Sequence, residues 1–313
     1  MTGRRVCLRV VFCLLGVLAA CRVAGGASPA TSPAGTGARV KVGVAILPMK
    51  YFAERVGGDL LEVTVLVGPG QEPHTFEPTM KQMTALDSAN LYFTLGLPFE
   101  QNLLAKLKAT AKHLTVVDVR QGLPLRRLTP QEVHSGRGAQ PGEPGERAGE
   151  PDPHVWLNPR LVKVMAATMA SALTQADPTH GDAYRKNLQA FQADLDRVDA
   201  KLAQVLAPLK GKEFIVYHPA FGYFGDAYGL VQVPVEVEGK EPSAKQLAEL
   251  IDVGRQKHVR VVFVQKQFSQ KSAEAVAEAL GATVVPMDDL AYDYLDNLER
   301  MAQELQRGLG TAP

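Results

Sequence analysis

From residue 39 onward, short β-branched runs alternate with stretches of helical periodicity, and the alternation comes in two sets. Strand-then-helix alternation of this kind restricts a chain to an α/β fold with a largely parallel sheet. In the first set, strands are expected at 40–46, 63–67, 91–95 and 114–117, with helices at 51–56, 80–88 and 99–110. In the second, strands are expected at 214–217, 231–235, 259–264 and 283–286, with helices at 243–257, 270–280 and 292–307. Four strands in each half predict two lobes of similar size, each a mostly parallel four-stranded sheet flanked by helices. A chain of 313 residues has room for two such units.

Between the two sets the pattern changes. Residues 159–176 read as a helix with Asn158 as cap and Pro159 in the first turn, where a missing N–H costs nothing. Asp177-Pro178 interrupts it. Residues 179–206 then contain no proline, and Tyr184, Leu188, Phe191, Leu195, Val198, Leu202 and Val205 keep to spacings of three and four. At 1.5 Å per residue this helix would be about 42 Å long, more than one small domain needs, so it is expected to join the halves rigidly. The expected division is an N-terminal lobe at 39–178, a linking helix at 179–207 and a C-terminal lobe at 208–313. Residues 120–151 form a long loop inside the first lobe, Gly- and Pro-rich at 136–151, and part of it is expected to be flexible. No repeat of solenoid period is visible.

The first twenty residues read as an export signal. Arg4, Arg5 and Arg9 supply its positive region, and residues 10–20 are an uncharged, mostly apolar run. Eleven residues rise about 16 Å as a helix, too short for a hydrocarbon core of about 30 Å. The segment ends in Leu18-Ala19-Ala20-Cys21, which resembles a bacterial lipobox, so Cys21 is expected to carry a lipid after cleavage. The three cysteines, Cys7, Cys13 and Cys21, all lie in or at the end of this segment. The body therefore has neither disulfide nor thiolate ligand, and any metal must be held by His and carboxylate groups. Residues 21–38, rich in Ala, Gly, Ser, Thr and Pro, are expected to form a flexible tether. An exported, membrane-anchored lipoprotein results, facing either a periplasm or an outer surface.

Charge narrows the partners. The formal net charge is +1, and loss of the signal leaves 31 Lys and Arg against 33 Asp and Glu, a formal −2. No cationic surplus is present to meet phosphates, so nucleic acid is not an expected partner.

Seven histidines are distributed unevenly in their local settings. His74 lies in Glu72-Pro73-His74-Thr75-Phe76-Glu77-Pro78, after an expected strand. His154 lies in Asp152-Pro153-His154-Val155-Trp156-Leu157-Asn158-Pro159, before a helix. His218 follows a strand, in His218-Pro219-Ala220-Phe221-Gly222-Tyr223-Phe224, and Asp288 follows another, in Met287-Asp288-Asp289-Leu290. Ligands of open α/β sheets bind beyond the carboxyl ends of strands, so these four residues, two from each half, can converge in a cleft. Three His and one Asp suit one first-row metal ion. His113, His258 and His180 are expected at solvated edges. His134 stands alone in the long loop.

These segments together resemble the zinc/manganese-binding lipoproteins of ABC importers, often called ZnuA-like or TroA-like, over about residues 40–307. The segments at 73–78, 152–159 and 218–224, and the tail from Asp288 through Tyr294 and Asn297, carry the resemblance. It implies two α/β lobes joined by one long helix, with the metal between them and His74, His154, His218 and Asp288 as ligands. It also implies a protein that is not an enzyme, expected as a monomer, that hands its ion to an ABC permease. Manganese-selective relatives tend to have Glu at the third position, so His218 points to Zn2+ as the transported ligand, with Mn2+ (or Fe2+) as the alternative. The family usually shows Asp-Pro-Leu where this chain has Asp288-Asp289-Leu290, which leaves the choice of carboxylate open, with Asp288 preferred. Glu77 and Asp152 are near the ligands in sequence and unassigned.

Two other classes remain open at this point. One is an exported zinc hydrolase using the three histidines with Asp288 as general base, although His-Glu-x-x-His, Gly-x-Ser-x-Gly and P-loop motifs are absent. The other is a surface adhesin with a structural metal.

Overall fold

The computed structural model describes residues 38–129, 132, 149–235, 247–248, 251–252, 254–255, 259–268 and 270–310. The expected signal at 1–20, Cys21, nearly all of the tether, His134, His258 and most of the expected helix 243–257 lie outside the described residues.

The first lobe holds β1 (Val40–Val44), β2 (Leu61–Val65), β3 (Leu91–Thr94) and β4 (Thr115–Asp118). All neighbours are parallel, in the order β2-β1-β3-β4. The second lobe repeats this order with β5 (Glu213–Val216), β6 (Val231–Pro234), β7 (Val261–Val264) and β8 (Thr283–Pro286), as β6-β5-β7-β8. Its strands too are all parallel. Central strands β3 and β7 are buried at every residue, as expected of a parallel strand covered on both faces.

Helices α1 (Leu47–Gly57), α2 (Met80–Asp87) and α3 (Pro98–Thr110) connect the first sheet. Helix α1 starts four residues before the expected position, because Pro48 occupies its first turn and Ile46 adopts extended cap geometry. That entry ends β1 at Val44 rather than at residue 46. The left-handed Gly58 (φ 57°) closes α1, and a short 3-10 turn at Gly58–Leu60 delivers the chain directly into β2, two residues early.

Helix α4 (Pro159–Ala176) has the expected cap, with Asn158 accepting from the Arg160 N–H. A 3-10 turn at Pro178–His180 then leads into the long helix α5 (Gly181–Leu206), 26 residues and about 39 Å. Tyr184, Phe191, Leu195, Val198, Leu202 and Leu206 form its buried stripe. It packs against α1, α4 and the last helix, α8 (Tyr294–Leu309). The second lobe also holds α6 (Gly222–Tyr228), within the His218 motif, and α7 (Gln270–Leu280).

One apolar core runs through both lobes, from Val44 and Phe93 through Phe191 and Leu195 to Phe214 and Leu298. Cross-lobe contacts fasten it. The Tyr294 ring meets Phe52 edge-on at 4.7 Å, and its hydroxyl donates to the Trp156 carbonyl (2.6 Å). Trp156 Nε1–H donates in turn to the Asp289 carbonyl (2.8 Å). Among the described residues, no helix is long and apolar enough to cross a membrane.

Candidate metal centre

Three loops deliver three imidazoles to one point. His74 arrives on the loop after β2, where the Glu72 carboxylate accepts from the backbone N–H of His74 (2.6 Å) and of Thr75 (2.8 Å) and from the Thr75 hydroxyl. Pro73 between them restricts φ, so ring stiffness and one side chain both narrow the turn. His154 sits at the start of the 3-10 turn Val155–Leu157 that precedes α4. Asp152 Oδ1 accepts from both the His154 backbone N–H (2.9 Å) and its ring Nδ1 (2.8 Å). His218 follows β5, its backbone paired in both directions with the Gln265 amide after β7 (3.2 and 2.8 Å), and its ring stacks on Phe268 at 4.8 Å.

The Nε2 atoms of His74 and His218 are 3.2 Å apart, as are those of His218 and His154. Zn–N bonds of about 2.0–2.1 Å at a tetrahedral angle place ligand nitrogens about 3.3–3.4 Å apart, so the spacing suits one small ion. An ionised carboxylate accepts and does not donate, so the His154 proton is on Nδ1 and its Nε2 lone pair faces inward. Burial, and then the neighbouring His218, lower the His74 imidazole to about 3. Burial, and then His154, lower His218 to about 3. Both are thus neutral at ordinary pH.

The three rings line a cavity of about 10 Å³, closed further by Glu72, Gln267 and Asp289. That is space for one water-sized particle. Two buried polar atoms have no hydrogen-bond partner among the described residues, Gln267 Oε1 and Asp289 Oδ1, and both residues line this cavity. Orphaned acceptors on residues that line the same cavity as three imidazoles make the site complementary to a cation. Burial and the charge of Asp288 push the Asp289 carboxyl up to about 7, against the pull of His154.

The family model described as "Zinc-uptake complex component A periplasmic" (ZnuA) matches residues 42–308. The chain belongs to this family. It is 30% identical over 304 residues to the high-affinity zinc uptake system protein ZnuA of Bacillus subtilis, covering 95% of this chain and 92% of that protein. It is 29% identical over 238 residues to the manganese-binding lipoprotein MntA of the same organism, covering 72% and 71%. Among solved structures, a crystal structure of ZnuA superimposes with TM-score 0.79 at 42% identity, covering 87% of this chain and all of that one. The laminin-binding protein of Streptococcus agalactiae, described as bifunctional with adhesin and metal-transporting activity, matches with TM-score 0.73 at 26% identity over 87% of this chain and 99% of that one. The two-lobed fold with its long helix is that of the ZnuA family.

Against the ZnuA-like ligand pattern, one expected residue is placed elsewhere. Asp288 does not line the histidine cavity. Its Oδ1 accepts from the Leu290 N–H (2.9 Å), its Oδ2 lies 3.2 Å from Lys266 Nζ, and it lines a separate cleft of about 440 Å³. Asp289, next in the chain, turns inward. Glu77 is exposed and belongs to a different depression, so Glu72 is the acid that organises the His74 loop. Asp152 lies behind His154, fully buried, and its carboxyl is held below the usual range by His154 and Arg126 although burial alone would raise it. Neither Gln267 nor Arg126 carries a sequence signal that would have singled it out. Among the other histidines, His113 is exposed and His180 pairs with Asp177 (2.6 Å) at the entry to α5, away from the cavity.

Proposed function

We propose that this protein captures Zn2+ between its lobes and delivers it to an ABC permease for import, with His74, His154, His218 and Asp289 as the ligands. The observation that carries this is the meeting of the His74, His154 and His218 imidazoles on a cavity the size of a single ion, whose lining also includes Asp289 with a buried oxygen that has no hydrogen-bond partner among the described residues. Three imidazoles and one carboxylate leave the ion a residual charge of about +1, offset by the outer carboxylates Asp152 and Glu72. Four protein ligands make a closed tetrahedral site, the arrangement of a held ion, whereas catalytic zinc keeps a position for water. Membership in a family of zinc-uptake binding components supports the same conclusion.

Manganese is the second reading, favoured by the likeness to MntA. Imidazole at position 218 favours Zn2+, since carboxylate-rich sites suit Mn2+. The export signal at 1–20, lipid attachment at Cys21, the tether at 21–38 and a monomeric state belong to the same proposal. They place the receptor on a membrane surface, in a periplasm or outside the cell. Cells lacking the gene should fail to grow under zinc chelation, recover with the wild-type gene and not with His154→Ala. Full rescue by His154→Ala would overturn the assignment.

A further inference from the structure

Arg126 lies on the segment that follows β4, remote in sequence from His74, His154 and His218 and outside the cavity lining. Three of its side-chain nitrogens are used. Nη1 donates to Asp152 Oδ2 (2.6 Å), Nη2 to Glu132 Oε1 (2.8 Å) and Nε to Asp226 Oδ2 (2.9 Å). Its backbone joins the same knot, the N–H donating to the Tyr223 hydroxyl (3.0 Å) and the carbonyl accepting from the Asp152 N–H (3.0 Å). Asp152 is wholly buried and Glu132 nearly so, while Asp226 is largely exposed.

Two routes lead from this guanidinium to the metal centre. Asp152 divides its oxygens, giving Oδ2 to Arg126 and Oδ1 to the His154 ring and backbone. Glu132 Oε1 accepts from Gln232 Nε2 as well (2.8 Å). That amide also reaches the Pro219 carbonyl (3.2 Å) and accepts from the Phe221 N–H (2.8 Å), in the turn directly after His218. One side chain from the first lobe therefore braces the supports of one ligand from each lobe. The chain leaves room for it. A Cβ built on Gly222 would lie 1.8 Å from Arg126 Nη1 and 2.8 Å from Asp152 Oδ2, so any larger residue at 222 displaces the guanidinium.

We propose that Arg126 is a positioning residue of the metal centre, holding His154 through Asp152 and the turn after His218 through Glu132 and Gln232, and so setting the strength and geometry of ion binding. The proposal rests on the zinc-receptor reading above. Charge-assisted bonds in fixed directions from one planar guanidinium to three separate carboxylates hold their orientation in a way that one ammonium does not. Outer partners of metal-bound histidines typically change affinity about 10–100-fold when removed.

The test compares Arg126→Met, Arg126→Lys and Gly222→Ala with the wild type in three measurements. These are Zn2+ affinity by chelator competition, the visible absorption spectrum of the Co2+-loaded protein, and the thermal midpoint without metal. We expect Arg126→Met and Gly222→Ala to keep one ion per chain, to weaken Zn2+ about 10–100-fold and to alter the Co2+ bands. Arg126→Lys should recover part of the affinity. Adding Arg126→Met to Asp152→Asn should cost less than about threefold further, because much of the effect passes through Asp152. Should Arg126→Met not be recovered folded, Gly222→Ala makes the same comparison with the guanidinium chemically intact. A lower thermal midpoint with unchanged Zn2+ affinity and Co2+ spectrum would make the cluster a structural clamp and overturn the proposal, as would fully multiplicative losses in the double variant. A wild type that takes up no Zn2+ would instead overturn the receptor reading itself.

Discussion

At the scale of single residues, the two adjacent aspartates have opposite surroundings and so opposite expected effects. Asp288 is tied to Lys266 and the Leu290 N–H, whereas Asp289 lines the histidine cavity and has a buried oxygen with no hydrogen-bond partner among the described residues. We expect Asp289→Asn to weaken Zn2+ binding at least about 100-fold and Asp288→Asn to change it less than about threefold, read by chelator competition. The reverse order would return the ligand to Asp288. Acidity follows from the same carboxyl. Asp289 holds its proton up to about pH 7 without metal, so Zn2+ must displace that proton below this pH. Affinity should therefore fall on acidification from pH 7, and Asp289→Asn should remove about one proton from the slope of log Kd against pH. The metal-free fold feels two opposing linkages. Asp289, raised from 3.8, contributes stability below pH 4 that is lost as pH rises through about 7. His74 and His218, lowered from 6.5 to about 3, contribute stability above pH 6.5 that is lost as pH falls toward 3. Two imidazoles outweigh one carboxyl, so the urea midpoint of metal-free protein should drop between pH 6.5 and 4.5. A His74→Gln, His218→Gln double variant should flatten that drop.

At the scale of elements, α5 carries the junction of the lobes. Leu195 and Leu202 are fully buried on its inner stripe, and Leu195→Ala should cost about 2–5 kcal/mol in denaturant unfolding while leaving one zinc site per chain. A loss below about 1 kcal/mol would mean that the stripe is not packed as described. The strand and helix count was legible because β-branched runs and 3.6-residue periodicity are local signals. So was the cap at Asn158-Pro159, and so were the three histidines, each marked by its place at the end of a strand or the start of a helix. The errors have local causes too. Pro48 pulls the start of α1 forward, and Gly58 with its 3-10 turn shifts β2 by two residues. What stayed hidden depends on side-chain direction in space. Asp288 and Asp289 are equivalent on paper, and only packing against Trp156 and the histidines turns the second one inward. Gln267 and Arg126 likewise reach the site by tertiary contact.

At the scale of the whole molecule, a continuous core and a helix of about 39 Å oppose wide hinge motion between the lobes. Zinc-dependent changes in amide hydrogen exchange should be confined to the loops around residues 70–77, 126–129, 152–157, 218–221 and 287–290. Large changes along α5 or through both sheets would contradict a rigid frame with local ligand movement. A Zn2+ receptor built on His74, His154, His218 and Asp289 is tested by titrating chelator-stripped protein with Zn2+, alone and in competition with Mn2+. The expected result is one tightly held Zn2+ per chain that equimolar Mn2+ does not displace and that His218→Ala loses. Mn2+ prevailing at comparable concentration, or no tight site for either ion, would contradict it.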